Sequence, residues 1–354
     1  MHALTDEHRM LQDSIEAILS ATTDPDAVWR QLAELGMLGL TLCEADGGAG
    51  LGLAELLLFA HGFGRVGVST PYLGAEVLAM PLLAGISSHP MVASLLPDLA
   101  SGARIVTLAL DDLAPVTAGR SADKGYVISG TKTLVPFGSR ADVVVVSASL
   151  DDGPALYLLD AAAEGIKRTP YEPAGPGAGA DLTLEAVTVD DTALLAEGPD
   201  AAGLIADARA RGLLATCADM LGGMEKMLEL TVEYLRTRQQ FGQPLASFQV
   251  LQHAAVDMYV ELETARAMLS YGTRMFGAPQ EERARALDAV KLKLNTAAKT
   301  LGENAVQLHG GIGMTREHLT GRLFARLAAE RLSFGDSRSC LARLVADDAS
   351  IALS

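Results

Sequence analysis

The chain has 354 residues, of which 49% are hydrophobic and only 5% are aromatic, and it carries a formal net charge of −16. This charge argues against nucleic acid and anionic membranes as partners, because both are negatively charged. Since no apolar run is long enough to span a membrane and the first twenty residues lack a signal pattern, we expect a cytoplasmic protein.

Residues 1–103 are predicted to form an N-terminal helical domain. Apolar residues recur at helical spacing from Leu11 through Ile15 to Ile18, and residues 22–26 interrupt the pattern. A chain of this length exceeds the size of a single core, which favours two or three packed domains.

Residues 104–200 are predicted to form a middle antiparallel β-domain. The hydrophobic period changes to two, in short runs separated by turn pairs. These runs are residues 105–110, 125–130, 143–146 and 155–159. Residues 175–179 read GPGAG and predict a flexible loop.

Residues 201–354 are predicted to form a C-terminal four-helix bundle, because the helical period returns and is kept. The four segments are residues 201–237, 246–276, 281–308 and 316–349. The fourth segment contains Arg322, Arg326 and Arg331, which predict a basic face that is solvated, interfacial or available to the phosphates of a ligand. The fold class is therefore α+β and mostly helical. The spacing of histidines and cysteines predicts no metal site.

Two stretches in the bundle carry the chemistry of a diphosphate site. Residues 236–249 read RTRQQFGQPLASFQ, and residues 307–314 read QLHGGIGM. Arg238 offers a planar fork of donors to phosphate oxygens. Gly310 and Gly311 allow backbone N–H groups to approach an anion because they have no Cβ.

These stretches, in their order and helical surroundings, resemble the C-terminal bundle of the acyl-CoA dehydrogenases, flavoenzymes that desaturate acyl-CoA thioesters. Residues 29–40 and 44–52 resemble the N-terminal helical domain of the same family. The resemblance implies FAD as cofactor, an acyl-CoA substrate and an electron-transfer flavoprotein as acceptor. The implied FAD-binding residues are Arg238, Gln240, Phe241, Gly242, Phe248, Gln249, Gln307, His309, Gly310 and Gly311.

The catalytic base of the family is missing. The family places a glutamate at one of two positions, which correspond here to Phe334 and Gly212, and neither can take a proton. Two segments that contact the flavin ring in the family also differ. Residues 107–113 read TLALDDL in place of a loop rich in hydroxyls and glycines, and residues 134–137 read LVPF in place of a segment like WITN.

The losses are one-sided, because the flavin-ring and base features are absent while the ADP-side features are present. In this family the flavin crosses a subunit interface, and the neighbouring bundle holds its adenosine diphosphate. The chain therefore resembles the non-catalytic partner in α2β2 bacterial acyl-CoA dehydrogenases, some of which act on steroid side chains. The implied partner is a homologous catalytic subunit that brings the base.

Two alternatives remain open from the residues alone. One is a self-sufficient homo-oligomeric acyl-CoA dehydrogenase that uses an unconventional base, either Asp336 or Glu330. The other is a catalytically inactive CoA-binding or scaffold protein.

Overall fold

The computed structural model describes residues 6–22, 24–121, 125–171 and 179–352. The N-terminal part is helical, as the sequence predicts. At the predicted interruption, the Asp24 side chain caps the second helix by accepting a hydrogen bond from the Ala27 backbone N–H at 3.2 Å. The helices are α1 (Asp6–Ala21), α2 (Pro25–Glu34), α3 (Leu53–Val66), α4 (Met80–Ala84) and α5 (Pro90–Ala100), and a π-helical segment (Leu73–Ala79) immediately precedes α4.

The middle part is a sheet whose strand order is β6-β7-β3-β2-β4-β5-β8, with β1 paired to β4. Most neighbours are antiparallel, but β4 runs parallel to both β1 and β2. The strands are β1 (Val106–Ala109), β2 (Asp111–Arg120), β3 (Tyr126–Val135), β4 (Val143–Leu150), β5 (Gly153–Asp160), β6 (Ile166–Tyr171), β7 (Gly179–Val189) and β8 (Leu194–Glu197).

The sequence pattern predicted β1, β3, β4 and β5 but missed the other four strands. Strand β2 is mostly exposed and contains Pro115, so it lacks the apolar alternation that identifies a half-buried strand. Of the predicted loop at residues 175–179, residues 175–178 lie outside the described residues, and Gly179 begins β7.

The C-terminal part is helical, with a short hairpin between its first two helices. The predicted fourth segment is two helices rather than one, because Phe334 has a φ of 54° and Gly335 a φ of 117°, which interrupt a right-handed helix. The elements are α6 (Gly198–Thr237), β9 (Gln239–Gln240), β10 (Gln243–Pro244), α7 (Gln249–Met275), α8 (Gln280–His309), α9 (Leu319–Glu330) and α10 (Ser337–Ala352).

The N-terminal helices and the C-terminal helices share one hydrophobic core, whereas the sheet has a second core of its own. Helices α3 and α6 cross in backbone contact, since a Cβ on Gly64 would overlap the Asp219 carbonyl and a Cβ on Gly222 would overlap the His61 carbonyl. This contact fixes α3 against α6. Among the described residues, no helix is long and apolar enough to cross a membrane.

Candidate functional site: a diphosphate clamp and a cavity

The first site begins where α6 ends. The Arg238 backbone N–H donates to the Tyr234 carbonyl at 2.8 Å, and the Arg238 carbonyl accepts from Leu245 N–H at 2.8 Å, which closes the β9–β10 hairpin. The tip residues Phe241 and Gly242 have φ values of 54° and 79°. The Arg238 side chain is exposed and makes no ion pair with any residue that the structure describes. Its guanidinium is therefore available to an anionic ligand.

The same site continues at the end of α8. His309 is the last helical residue, and Gly310 follows with a φ of 67°, a conformation that L side chains rarely adopt. A Cβ on either Gly310 or Gly311 would meet nothing within 4 Å. The backbone at this turn is consequently open to close approach by a ligand.

His309 joins the two halves of this site. Its ring stacks on Tyr234, one turn before Arg238, with ring centroids 4.7 Å apart. His309 Nδ1 lies 2.8 Å from the Ala305 carbonyl, and because a carbonyl only accepts, Nδ1 carries the proton. Burial lowers the pKa of His309, so the ring is neutral and its buried Nε2, which has no partner among the described residues, is an acceptor.

The remaining predicted cofactor residues lie on the hairpin and at helix ends. Phe248 contacts Phe241 edge-on, with centroids 6.0 Å apart, and precedes the first residue of α7. Gln249 begins that helix, whose N-terminal end favours a negative charge. Gln240, Gln249 and Gln307 are exposed amides. We refer to the ten predicted FAD-binding residues together as the clamp.

A separate cavity of about 610 Å³ lies between the π-helical segment, the sheet and the C-terminal helices. Its walls are mostly apolar and include Phe63, Val77, Leu108 and Leu213. This volume falls in the range of about 300–1,000 Å³ that is typical of small-molecule sites.

The two positions where the resemblance places a base meet at the wall of this cavity. A Cβ on Gly212 would lie 2.5 Å from Cε1 of Phe334 and 2.8 Å from Cδ2 of Leu78. No side chain can be added at Gly212 unless Phe334 moves. The structure thus brings both positions together and occupies them with one packed ring.

The loop that carries Phe334 is held at both ends from α8. Lys291 Nζ donates to the Glu330 carbonyl at 2.7 Å, and Asn295 Nδ2 donates to the Gly335 carbonyl at 3.2 Å. Lys291 also donates to Asn295 Oδ1 at 2.8 Å. Sequence reasoning missed these two residues, whose spacing of four on a helix is their only local signal.

The two proposed alternative bases lie in different surroundings. Asp336 caps α10 by accepting from Ser339 N–H at 2.7 Å, and the hydrogen bonds from the Ser339 side chain and backbone lower the pKa of its carboxyl. It does not line the cavity. A carboxylate stabilised in this way is a weak base, so its position gives no support to a catalytic role.

Glu330 does line the cavity and is buried. Its Oε1 lies 3.1 Å from Arg326 Nε, and burial and the negative charge of Asp219 raise the pKa of its carboxyl well above the ordinary value. Arg326 also donates to Asp219 Oδ1 at 2.7 Å. The predicted basic face is therefore wrong for Arg326, which is 5% exposed and points inward because two carboxylates bind it.

The two segments that differ from the family's flavin-ring segments also line the cavity. Leu110 and Asp111 continue into β2 instead of forming a loop, and Arg209 of α6 binds Asp111 Oδ1 at 2.7 Å. The Pro136 carbonyl accepts a hydrogen bond of 2.5 Å from Thr107 Oγ1. Among the described ranges, no group of three or more histidine, cysteine, aspartate or glutamate side chains could hold a metal ion.

Comparison with known protein families gives two matches. The family described as "Acyl-CoA dehydrogenase, N-terminal domain" matches residues 5–103, and "Acyl-CoA dehydrogenase, C-terminal domain" matches residues 208–347. The chain is also 30% identical over 340 residues to "Acyl-CoA dehydrogenase FadE27" of Mycobacterium tuberculosis, covering 93% of this chain and 88% of that protein.

Solved structures agree over nearly the whole chain. A chain of the ChsE4-ChsE5 complex from Mycobacterium tuberculosis is similar with a TM-score of 0.89 and 27% identity, covering 98% of both chains. A chain of the "Tcur3481-Tcur3483 steroid ACAD G363A variant" is similar with a TM-score of 0.86 and 30% identity, covering 99% of this chain and 100% of that chain. These similarities confirm the predicted fold and the resemblance to chains of heteromeric complexes.

Proposed function

The chain belongs to the acyl-CoA dehydrogenase family, and from this premise we propose that it is the ADP-binding subunit of a two-chain, FAD-dependent enzyme whose partner brings the catalytic base. The observation that carries this proposal is the packing of Phe334 against Gly212. This packing leaves no carboxylate at either position where the resemblance places the base. The clamp, in contrast, keeps an arginine that has no ion pair among the residues the structure describes, and an open glycine turn.

The clamp residues fit the ADP part of FAD by their donor and acceptor types. Arg238 supplies a cationic donor for the diphosphate, and the Gly310–Gly311 turn allows a phosphate to approach the backbone. The neutral, buried His309 stacks on Tyr234 beside the glycine turn and brings no positive charge to the diphosphate. When bound, FAD supplies the acceptor for the hydride that leaves the β-carbon.

Exposed apolar side chains beside the clamp support a partner chain. Phe241 at the hairpin tip is 91% exposed, and further large apolar residues follow it on α7 and after α8. We interpret these exposed apolar side chains as part of a surface that another protein covers. The exposed residues are Phe241, Val250, Val256, Tyr259, Val260, Ile312 and Met314.

The similar complexes specify the proposal further. ChsE4-ChsE5 is a complex of two proteins, and the Tcur3481-Tcur3483 structure is described as a steroid ACAD. We therefore propose a homologous catalytic subunit as the partner and a bulky acyl-CoA, of the steroid side-chain class, as the substrate. An electron-transfer flavoprotein stays our prediction for the acceptor, and the cytoplasm stays our prediction for the location.

A self-sufficient enzyme is the second candidate, and one observation favours it. Glu330 is a buried carboxyl with a raised pKa at the cavity wall, which are properties of a general base. Its ion pair with Arg326 argues for a structural role instead. An inactive scaffold is the least favoured function, because a scaffold needs no open diphosphate clamp.

Turnover of the co-expressed pair distinguishes these functions. We expect Glu330→Gln in this chain to retain acyl-CoA-dependent reduction of an electron acceptor, while replacing the partner's glutamate base with glutamine abolishes it. Asp336→Asn serves as the matched carboxylate control. Loss of turnover with Glu330→Gln, while flavin content and assembly mass stay normal, would instead identify this chain as the one that holds the base.

A further inference from the structure

Three aromatic rings from three helix ends meet beside the clamp. His309, the last residue of α8, stacks on Tyr234 of α6 with ring centroids 4.7 Å apart and an interplanar angle of 24°. The same His309 ring contacts His318, with centroids 5.1 Å apart and an angle of 52°. His318 lies immediately before α9. We refer to Tyr234, His309 and His318 together as the ring stack.

The ring stack is connected directly to both parts of the clamp. The Arg238 backbone N–H donates to the Tyr234 carbonyl at 2.8 Å, so the Tyr234 ring and the cation belong to the same turn at the end of α6. His309 is followed directly by the Gly310–Gly311 turn. A shift of His309 against Tyr234 would therefore change the distance between Arg238 and the glycine turn.

The start of α9 holds the other side of the glycine turn. His318 Nδ1 caps α9 by accepting a hydrogen bond from the Thr320 backbone N–H at 3.3 Å. A Cβ on Gly321 would overlap the carbonyl of Thr315, so α9 lies in backbone contact with the residues that follow the turn. The turn is thus held from α6 through the ring of His309 and from α9 through this contact.

The nitrogens of His309 are not accessible to a ligand. Its Nδ1 lies 2.8 Å from the Ala305 carbonyl, to which it donates, and its Nε2 is buried. Burial lowers the pKa of the ring, and the neighbouring His318 lowers it further. His309 therefore offers an anion neither a reachable nitrogen nor a positive charge, and its contribution to the clamp is the position of its ring.

We propose that Tyr234 and His318 are positioning residues of the clamp, whose rings hold His309, and with it the Gly310–Gly311 turn, at a fixed distance from Arg238. This inference rests on the proposed function, because it concerns how the clamp holds the diphosphate of FAD. Neither residue needs to touch the cofactor, since each acts through the packing of its ring on His309.

The first test changes Tyr234 in this chain and measures flavin retention by the co-expressed pair on dilution. Tyr234→Ala removes the ring and should weaken retention about threefold to tenfold, the amount expected for one lost aromatic pair. Tyr234→Phe keeps the ring and should retain flavin as the parent does. Tyr271→Ala is the matched control, because Tyr271 is exposed on α7 and forms no ring pair with any residue that the structure describes.

A second variant separates the ring of His318 from its role as a helix cap. His318→Asn keeps a side chain that can cap α9 but removes the ring, so flavin retention should again fall. Light scattering identifies the variants that assemble with the mass of the parent pair. If Tyr234→Ala fails to assemble, His318→Asn tests the same packing from the other helix.

A double-variant cycle distinguishes positioning from a separate stabilising role. If the ring stack acts by placing the glycine turn against Arg238, Tyr234→Ala should change flavin retention much less when Arg238→Ala is already present. Equal effects in both backgrounds, or equal loss of flavin in Tyr234→Phe and Tyr234→Ala, would overturn the proposal. Absence of flavin from the parent pair would instead reject the proposed function, and this inference with it.

Discussion

The clamp and the cavity differ in whether their side chains already have partners within the chain. In the clamp, Arg238 is exposed and has no ion pair among the described residues, so its guanidinium is available to a ligand. At the cavity wall, Phe334 fills the space above Gly212, and hydrogen bonds from α8 hold both ends of its loop. Of the two halves, the clamp is open to a ligand, whereas the two predicted base positions are closed by one packed ring, which is the pattern expected if the halves serve different chains.

The largest predicted effect tests the open half. Arg238→Ala should weaken flavin retention by the co-expressed pair about tenfold to a hundredfold, because a charge-assisted hydrogen bond to phosphate is lost. The measurement is the ratio of flavin to protein absorbance after gel filtration. Arg236→Ala is the control, since Arg236 is an exposed arginine in the last turn of the same helix. Equal flavin content in the two variants would remove Arg238 from the clamp.

The next prediction tests the closed half. Gly212→Ala should lower the free energy of unfolding by about 1–3 kcal/mol, because its methyl group would overlap the Phe334 ring. Phe334→Ala in the same chain should relieve the overlap, so the two changes should be strongly non-additive. Urea unfolding of the two single variants and the double variant measures this coupling.

Gly203→Ala provides a control on the same helix. A Cβ at Gly203 meets nothing within 4 Å, so alanine there should raise the free energy of unfolding by about 0.5–1 kcal/mol through helix propensity. If the two glycine variants have the same effect, Gly212 does not make room for Phe334.

A further prediction concerns pH and the π-helical wall of the cavity. Burial raises the pKa of Glu76 from 4.5 to about 8, and a 2.8 Å hydrogen bond from Gly39 N–H offsets burial only partly. Because the folded pKa is the higher one, folding takes up a proton. The contribution of Glu76 to stability is full below about pH 4.5 and is lost as the pH rises to about 8.

Glu76→Gln should therefore flatten the dependence of the unfolding free energy on pH between these values. Chemical denaturation at several pH values measures it, and Glu303→Gln is the control because Glu303 is exposed on α8. Flavin retention by the clamp should not follow the Glu76 titration. If the unfolding free energy of Glu76→Gln depended on pH as strongly as that of the parent chain, Glu76 would not be the group that titrates.

The clamp stays a prediction, and the sequence could locate its parts because each lies at the end of one helix. Arg238 follows directly after a helix, and the glycine turn at 310–311 directly ends another. The stacking of Tyr234 on His309 was missed, because it joins residues that are far apart in the chain.

The cavity could be predicted less well, because it depends on tertiary contacts. The sequence identifies Phe334 and Gly212 as residues that cannot take a proton, but their mutual packing requires the left-handed conformation of Phe334. Arg326 was wrongly assigned to a basic face because the sequence does not reveal its ion-pair partner Asp219, which lies 107 residues away in the chain. Long-range ion pairs of this kind leave no periodic signal in a sequence.

We propose that this chain completes the flavin site of another chain. Its most direct test measures flavin content and mass by absorbance and light scattering, for this chain alone and for the chain co-expressed with a family member that has the base. We expect no stoichiometric flavin in the chain alone and one flavin per pair in the complex. One flavin per chain in a homo-oligomer of this chain alone, bleached by an acyl-CoA, would contradict the account.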